Sequence, residues 1–308
     1  MSVKKATFIL NPISGINRRP SRIIFWIEKH WGNRGIELEI LKTGHRGHGT
    51  ELARKAAREG ADLVVAAGGD GTINEVGQGL IGTETALGII PAGSGNGFAR
   101  NLHIPLKQEA AIANLRNPRL KKIDVGKIND RYFFNIAGSG IDAKVSLEFD
   151  RSQRRGFFSY LVLSTRELFR YRNQRVTIKL PDRVLRREPL LLSFANLPEF
   201  GNRATIAPGA RPDDGLLDIC ILNPISPLKL LRNLPLIFSG RIDHLAEMEI
   251  YRANKVTISR PQSAPIHTDG DPHLECGQLE VELLPEHLTI ALPHPVRSEI
   301  GKKRWFSI

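Results

Sequence analysis

Two short runs of residues carry the chemistry that this chain displays. Gly68-Gly69-Asp70-Gly71-Thr72-Ile73-Asn74-Glu75 sits between a β-branched apolar stretch, Asp62–Ala67, and a segment at helical spacing, Ile73–Leu80. Small residues at a strand-to-helix turn let backbone N–H groups approach a phosphate with no Cβ in the way. The positive end of the following helix points to the same place. Thr72 can cap that helix or donate to a phosphate. Asp70, an acid beside a phosphate cradle, makes sense if it faces Mg²⁺ or orders the loop. The plainer reading is a tight turn that needs its glycines for geometry, with Asp70 as a helix cap. The second run, Pro91-Ala92-Gly93-Ser94-Gly95-Asn96-Gly97, follows the apolar stretch Ala86–Ile90 and leads into a short helical segment, Phe98–Leu102. Ser94 and Asn96 are small donors able to reach phosphate or ribose. Two such loops in succession weigh more than one. The chain carries no G-x-x-x-x-G-K-[ST], and no G-x-G-x-x-G follows its first strand, so the common nucleotide fingerprints are absent.

The elements that must position these loops alternate. Ala6–Leu10 reads as a strand ending in the turn Asn11-Pro12-Ile13-Ser14-Gly15, and Ser21–Trp31 as an amphipathic helix. Glu37–Leu41 reads as a strand and Thr50–Glu59 as a helix closed by Gly60. This β-α-β-α order predicts a parallel sheet covered on both faces. Ligands in such sheets sit outside the carboxyl ends of the strands, where all three glycine-bearing turns should gather. Past about Lys121 the texture changes. A hairpin around Asn129-Asp130 is followed by short strand-like runs, interrupted by apolar helical stretches near Phe157–Phe169 and Pro227–Phe238. The chain therefore divides into an α/β domain over residues 1–122, a β-rich domain over 123–290 and a basic tail over 291–308.

With 308 residues the chain can bury a large core, and no stretch approaches the ~20 apolar residues of a spanning helix. The start of the chain, MSVKKATFILNPISG, reads as a first strand rather than a signal peptide. Cys220 and Cys276 lie far apart, which argues against a disulfide framework or zinc cluster and fits a reducing cytoplasm. The net charge of +12 is uneven: eleven basic residues against Glu167 and Asp182 lie between Arg151 and Arg187. That excess suits either a solvated face or a surface meeting anionic phospholipid headgroups. No zinc finger, helix-turn-helix or aromatic RNA-binding signature accompanies it, so nucleic acid is not an expected partner.

GGDGTINEV followed by PAGSGNGFARNL resembles the diacylglycerol kinase catalytic family of lipid kinases, which also takes in sphingosine and ceramide kinases. The resemblance extends, in family order, to Asn11-Pro12-x-Ser14-Gly15, Gly140-Ile141-Asp142-Ala143, Asp213-Asp214-Gly215-Leu216-Leu217-Asp218 and His267-Thr268-Asp269-Gly270-Asp271. It implies an NAD-kinase-like parallel-sheet nucleotide domain followed by a C-terminal β-sandwich. It implies ATP held by Asn11, Thr43, the loop Gly68, Gly69, Asp70, Gly71, Thr72, Asn74 and Glu75, and Ser94. It also implies a structural Mg²⁺ bound by the Asp214 side chain and the backbone carbonyls of Arg211 and Leu216, oxygen ligands that suit this ion. Where the family carries Asp-Gly-Glu with its Glu as general base, this chain reads Asp269-Gly270-Asp271, so the role falls to Asp271, with Asp269 able to share it. At Gly97 many bacterial members have Asp; the Gly-Ser-Gly-Asn form resembles the sphingosine-kinase branch.

The activity implied is transfer of the ATP γ-phosphoryl group to a lipid hydroxyl, by a cytoplasmic protein peripherally associated with an anionic membrane. Phe157, Phe158 and Tyr160 would help the basic region meet that membrane. Homodimerisation stays open. The rivals are an NAD-kinase-like enzyme acting on a soluble alcohol, since NAD kinases share a similar Gly-Gly-Asp-Gly-Thr turn, and a nucleotide- or lipid-binding regulator without turnover. His45 and His48 flank Gly47 with no carboxylate at ligand spacing and read as surface histidines. His267 and His273 bracket the acidic loop and read as residues lining a turn, and Ser14 as a turn residue or nucleotide contact.

Overall fold

The computed structural model describes residues 3–14, 20–32, 35–151, 157–201 and 203–294, and for residues 151 and 157–162 the backbone only. The chain forms two compact units. One comprises the chain up to Ile123 together with the stretch from His287 onward, and the other is Asp124–Glu286. The basic tail 295–308 and residues 152–156 lie outside the described residues.

The first unit alternates as the sequence predicts: β1 (Lys5–Leu10), α1 (Pro20–Trp31), β2 (Glu37–Lys42), α2 (His48–Arg58), β3 (Leu63–Gly68), α3 (Asp70–Leu80), β4 (Ala86–Pro91), α4 (Gly97–Asn101) and α5 (Gln108–Asn114). The strands lie in the order β2-β1-β3-β4, all parallel. β3 and β4 are buried along their whole length, which is why they read as unbroken apolar runs rather than as alternating ones. Ile23, Ile27 and Trp31 recur at four-residue steps on α1, so one helix face turns inward. Together with Ile112 and Leu115 they pack on Phe8, Leu10 and Val65. Trp31 meets Phe8 edge-on at 5.3 Å, and its indole N–H donates to the Ile112 carbonyl at 3.3 Å. Helix α5, with no strong start or stop signal, was not legible in the sequence. α2 and α3 pack against one another and against the strands.

The second unit is a sandwich of antiparallel strands. Its elements are β5 (Arg119–Ile128), β6 (Arg131–Phe133), β7 (Ile136–Gly140), α6 (Ile141–Arg151), α7 (Phe157–Leu168), β8 (Val176–Lys179), β9 (Val184–Arg187), β10 (Leu191–Ala195), β11 (Leu217–Leu222), α8 (Pro227–Arg232), α9 (Leu234–Phe238), β12 (Met248–Ala253), β13 (Lys255–Ser259), β14 (Ala264–Thr268), β15 (Asp271–Glu275) and β16 (Gln278–Leu292). Strands β5 and β16 each change unit within their length. One sheet runs β12-β11-β10-β7-β14-β15. In the other, β16, β13, β8 and β9 pair in turn, all antiparallel. Phe194, Leu217, Ile219 and Ile266 of the first sheet and Ile178, Val256, Ile258, Leu279 and Val281 of the second share one buried core. The expected hairpin at Asn129-Asp130 joins β5 and β6. Two of the strand-like runs, 279–284 and 288–292 on either side of Pro285, form a single strand, β16, which takes a positive φ of 53° at Glu286 and continues.

Arg187 on the edge strand β9 and Glu249 on the edge strand β12 join the margins of the two sheets, with guanidinium-to-carboxylate contacts of 2.9 and 3.0 Å. The Arg187 pair, with donors from Tyr251 and Asn223, holds the Glu249 carboxyl down at about 2. A depressed acid contributes stability that is present above the ordinary carboxylate range and is lost as the pH falls through its folded value. Glu249→Gln should therefore melt below the wild type at neutral pH. In thermal melts taken from pH 7 to pH 2 the difference should shrink with acidification; a constant gap would mean that the charge of Glu249 contributes nothing.

Candidate active site

The carboxyl ends of the parallel strands gather the residues singled out in the first unit. Thr43 follows β2 and donates its amide to the Leu10 carbonyl at 2.9 Å, and Asn11 follows β1 and donates its amide to Ala67 at 3.0 Å. The Asn11 side chain is held on both sides: Nδ2 donates to Thr72 Oγ1 at 3.0 Å, and Oδ1 accepts the Ile13 amide at 3.1 Å. Thr72 is thus neither the helix cap nor free to rotate. It lies in the first turn of α3, which begins after Gly69 with no side-chain cap.

The two glycine loops touch backbone to backbone. A Cβ on Gly93 would fall 2.7 Å from Gly69 Cα, and one on Gly68 would fall 2.4 Å from Thr72 Oγ1, so only glycine permits these approaches. Asp70 completes the junction. Its carboxylate accepts the Phe98 amide at 3.2 Å, so it caps the helix of the second loop rather than its own. Burial pushes the Asp70 carboxyl up, against the amides of Phe98, Gly97 and Asn96, which pull it down. Asn96, at a left-handed φ of 49°, closes the second loop by exchanging hydrogen bonds of 2.9 Å with the Gly93 amide and carbonyl. Gly71 and Ser94 stand exposed at this edge, and a Cβ added to Gly71 would meet nothing. Asn74 accepts from Gln78 at 2.5 Å. Glu75 turns away from the loops: its two oxygens accept the Gly47 and Gly49 amides at 2.9 and 3.1 Å, fastening the start of α2 to α3. Together these loops can present backbone amides and two small hydroxyls to a chain of phosphates.

In the second unit, Asp269 and Gly270 form the two-residue turn between β14 and β15, with φ of 51° and 87°. Asp-Gly is the pair that such left-handed hairpin turns select. The Asp269 carboxylate accepts the amides of Phe134, Asn135 and Ile136 at 2.8, 2.8 and 3.0 Å. It therefore latches the backbone ahead of β7. Asp271 opens β15, half-buried, with its carboxylate 3.6 Å from His273 Nε2. Behind the turn lies a dyad that the sequence did not reveal. Buried His267 takes the Gly270 amide on Nδ1 at 3.3 Å and meets Asp142 through Nε2 at 3.0 Å. A ring whose Nδ1 accepts carries its proton on Nε2, so His267 donates to Asp142, which also accepts from Ser193 at 3.3 Å.

Residues 5–128 match the diacylglycerol kinase catalytic domain, and residues 135–292 match the YegS C-terminal NAD kinase beta sandwich-like domain. A diacylglycerol kinase of Mycobacterium tuberculosis is 31% identical over 304 residues, covering 94% of this chain and 96% of the relative. The chain belongs to the diacylglycerol kinase family. A diacylglycerol kinase of Bacillus subtilis is 29% identical over 276 residues, 87% of this chain and 90% of that one. The crystal structure of a diacylglycerol kinase from Bacillus anthracis shares the fold, with a TM-score of 0.72 at 21% identity over 96% of this chain and 98% of that one. The fold is also that of an NAD kinase from Archaeoglobus fulgidus crystallised with ATP, with a TM-score of 0.50 at 13% identity over 94% of each chain.

In this lipid kinase the acidic stretch ahead of β11 is a crowded set of carboxylates. Asp124, inside the buried part of β5, accepts the Gly215 amide and the Glu286 amide, each at 2.9 Å. Arg252 ties Asp214 to Asp218, whose carboxylate it meets at 3.0 Å. Burial first and then the neighbouring carboxylates Asp214 and Asp213 push the Asp124 carboxyl up. Burial also lifts Asp218, against Arg252. Crowded hard oxygens suit a divalent cation such as Mg²⁺, so the donor chemistry of Asp214 and its neighbouring carbonyls fits that ion. Asp124 escaped the sequence reading because a lone acid between Ile123 and Val125 looks like ordinary strand alternation.

One expectation is corrected. His45 and His48 do have a carboxylate at ligand distance, because α2 begins at His48, two residues earlier than expected, and brings Glu51 round one turn later; the ligand atoms lie within 4.8 Å of one another. The rings stack, 4.6 Å apart and 9° from parallel, and His48 Nδ1 already accepts the Gly44 amide at 3.0 Å, so an ion here would have to meet His48 through Nε2. Of the basic region, Arg175, Arg183 and Arg187 are paired with Glu188, Asp182 and Glu249. The side chains of Phe157, Phe158 and Tyr160 lie outside the described residues. No helix among the described residues is long and apolar enough to cross a membrane. Cys220 is buried and Cys276 exposed, both as free thiols.

Asp70 generates a prediction with a definite sign. Its raised carboxyl opposes folding wherever it is ionised, and the opposition disappears below the ordinary carboxylate range of about 4, where folded and unfolded chains are both protonated. Asp70→Asn keeps an acceptor for the Phe98 amide and should melt above the wild type at pH 7 to 8, the gap closing on acidification. A variant that melts lower at every pH would show that the three amides outweigh the cost of burial.

Proposed function

We propose that this lipid kinase transfers the γ-phosphoryl group of ATP to a hydroxyl of a lipid such as diacylglycerol or a sphingoid base. The observation that carries this reading is the interlock of the two glycine loops, which leaves Gly71, Thr72 and Ser94 grouped at the carboxyl edge of the parallel sheet. Phosphates meeting such an edge are held by amides that need no rearrangement, and catalysis in phosphoryl transfer is mostly positioning and charge stabilisation. Asn11, Thr43, Gly68 to Thr72 and Ser94 form the nucleotide side. Asn74 and Glu75 support it from α3, Glu75 by fixing the neighbouring helix. Asp70 orders the second loop and supplies negative charge where a magnesium ion accompanying the nucleotide would lie. The Asp214 side chain and the Arg211 and Leu216 carbonyls would hold a second, structural Mg²⁺, whose charge would relieve the crowding of Asp124, Asp213 and Asp218.

Asp271 is the base in this reading. Asp269 is occupied as a latch, and the turn that carries Asp271 is fixed by His267 and Asp142, so the aspartate is presented on a rigid strand end. A general base must come within hydrogen-bond reach of the hydroxyl proton, directly or through one water. The acceptor would be presented at an anionic membrane surface on the cytoplasmic side, met by exposed basic residues such as Lys179 and Arg186.

Incubation with radiolabelled ATP, Mg²⁺ and a total lipid extract tests the reading and names the lipid at once. Label should enter a lipid, Asp271→Ala should slow transfer by roughly 10²–10⁴-fold, and Asp271→Glu should restore part of it. Equal rates in wild type and Asp271→Ala would remove this residue from the mechanism. Label passing to NAD with none in lipid would replace the lipid acceptor with a soluble one.

A further inference from the structure

The second unit contains a cavity of about 230 Å³ lined between β7, α6, the end of α7 and the β14 strand, with no role in the reaction described above. Four basic residues line it, Lys144, Arg170, Arg172 and Arg260, against a single acid, Glu167. Arg260 and Glu167 are its most deeply buried charges, each 8% exposed. One face of the Arg260 guanidinium is spoken for: Nη1 donates to Ser139 Oγ at 3.1 Å, and Nη2 to the carbonyls of Ala264, Glu275 and Cys276 at 3.3, 3.1 and 2.7 Å. Among the described residues no carboxylate pairs with it, and its buried Nε–H has no acceptor. A buried cation hydrogen-bonded to neutral oxygens, which meets the Glu275 carboxylate only through longer-range attraction and has a donor left over, is a costly arrangement that an anion would relieve. Burial lowers the Arg260 pKa in the same sense, since the site disfavours the charge it carries. Tyr171 adds a hydroxyl that burial and Asp142 push up to about 12, so it stays a donor at any working pH.

The geometry points to a binding site for a phosphate ester, held by Arg260 at the base and by Arg170 and Arg172 at the mouth. Guanidinium groups are matched to phosphate oxygens because their planar fork offers paired N–H donors. The size sets the class further: the cavity is smaller than the roughly 300–1,000 Å³ of sites for drug-sized molecules, so it admits a headgroup-sized ligand and not a whole lipid. A phospholipid headgroup and a soluble phosphate ester share this chemistry. The site is independent of the transfer reaction, because it uses none of the glycine-loop or Asp271 residues.

Two probes distinguish the sources. Calorimetric titration with sn-glycerol 3-phosphate reads the soluble ester, and co-sedimentation with phosphatidylcholine vesicles, with and without phosphatidylglycerol, reads the headgroup. Arg170→Glu/Arg172→Glu reverses the mouth without touching the hydrogen bonds of Arg260, and Arg232→Glu/Lys255→Glu reverses equal charge at exposed positions outside the cavity lining. Binding of either probe that falls about tenfold or more in the first pair and little in the second supports the site. Arg260→Gln should act as the first pair does if its melt shows a folded protein. Failure of both probes to bind, binding unchanged by the mouth variant, or equal loss in both pairs overturns the proposal, the last by reducing it to general attraction to a basic face.

Discussion

Everything at the carboxyl edge of the first unit depends on one backbone contact, that between Gly69 and Gly93. Two strand-to-helix turns can lie this close only if neither carries a side chain at the point of approach, and a single methyl group at Gly93 would sit 2.7 Å from its neighbour's Cα. Once the turns are side by side, Asp70 can reach across from one to the amides that open the next helix. A loop that binds phosphate through its backbone must be rigid before the ligand arrives, because any ordering left to the moment of binding subtracts from affinity. Here the rigidity comes from the neighbouring loop rather than from the ligand.

The second unit solves the same problem with side chains. Asp269, His267 and Asp142 all act on backbone amides or on one another, and their effect is to fix a two-residue turn on which Asp271 stands. Both units therefore spend buried or half-buried carboxylates on holding loops: Asp70 and Glu75 in one, Asp269 and Asp124 in the other. Carboxylates accept several N–H donors at once and are stronger acceptors than carbonyls, which suits them to turns with many unsatisfied amides. The cost is visible at Asp70 and Asp124, where burial lifts the carboxyl above its ordinary range.

How much of this was legible in the sequence follows from the range of each interaction. The glycine loops and the alternating α/β order could be read because each is a local pattern, a run of small residues or a period, a few positions long. The antiparallel character of the second unit was legible from its texture, but β7, β14 and β15 were not, because Gly138, Gly140, Pro265 and Pro272 interrupt their apolar pattern. The Asp142–His267 pair spans 125 positions and the Asp124–Gly215 contact 91, so neither leaves a local trace. Glu75 was read as part of the loop because it follows it in sequence, yet one helical turn swings its carboxylate onto Gly47 and Gly49. Glu51 was missed as a carboxylate near His45 and His48, because the helix that carries it starts two residues earlier than its pattern suggests.

The latch at Asp269 also bears on how this protein ages. Among aspartyl pairs Asp-Gly is the most prone to cyclise: the glycine nitrogen attacks the aspartate carboxyl with loss of water, and hydrolysis of the ring can leave an isoaspartate that lengthens the backbone by one atom. Here the two reacting groups are held in different directions. The carboxylate is engaged by three amides of residues 134–136, and the Gly270 nitrogen directs its N–H to His267. The hydrogen bonds that set Asp271 in place thus also protect the turn beside it from covalent damage, and that protection lasts only while the chain stays folded.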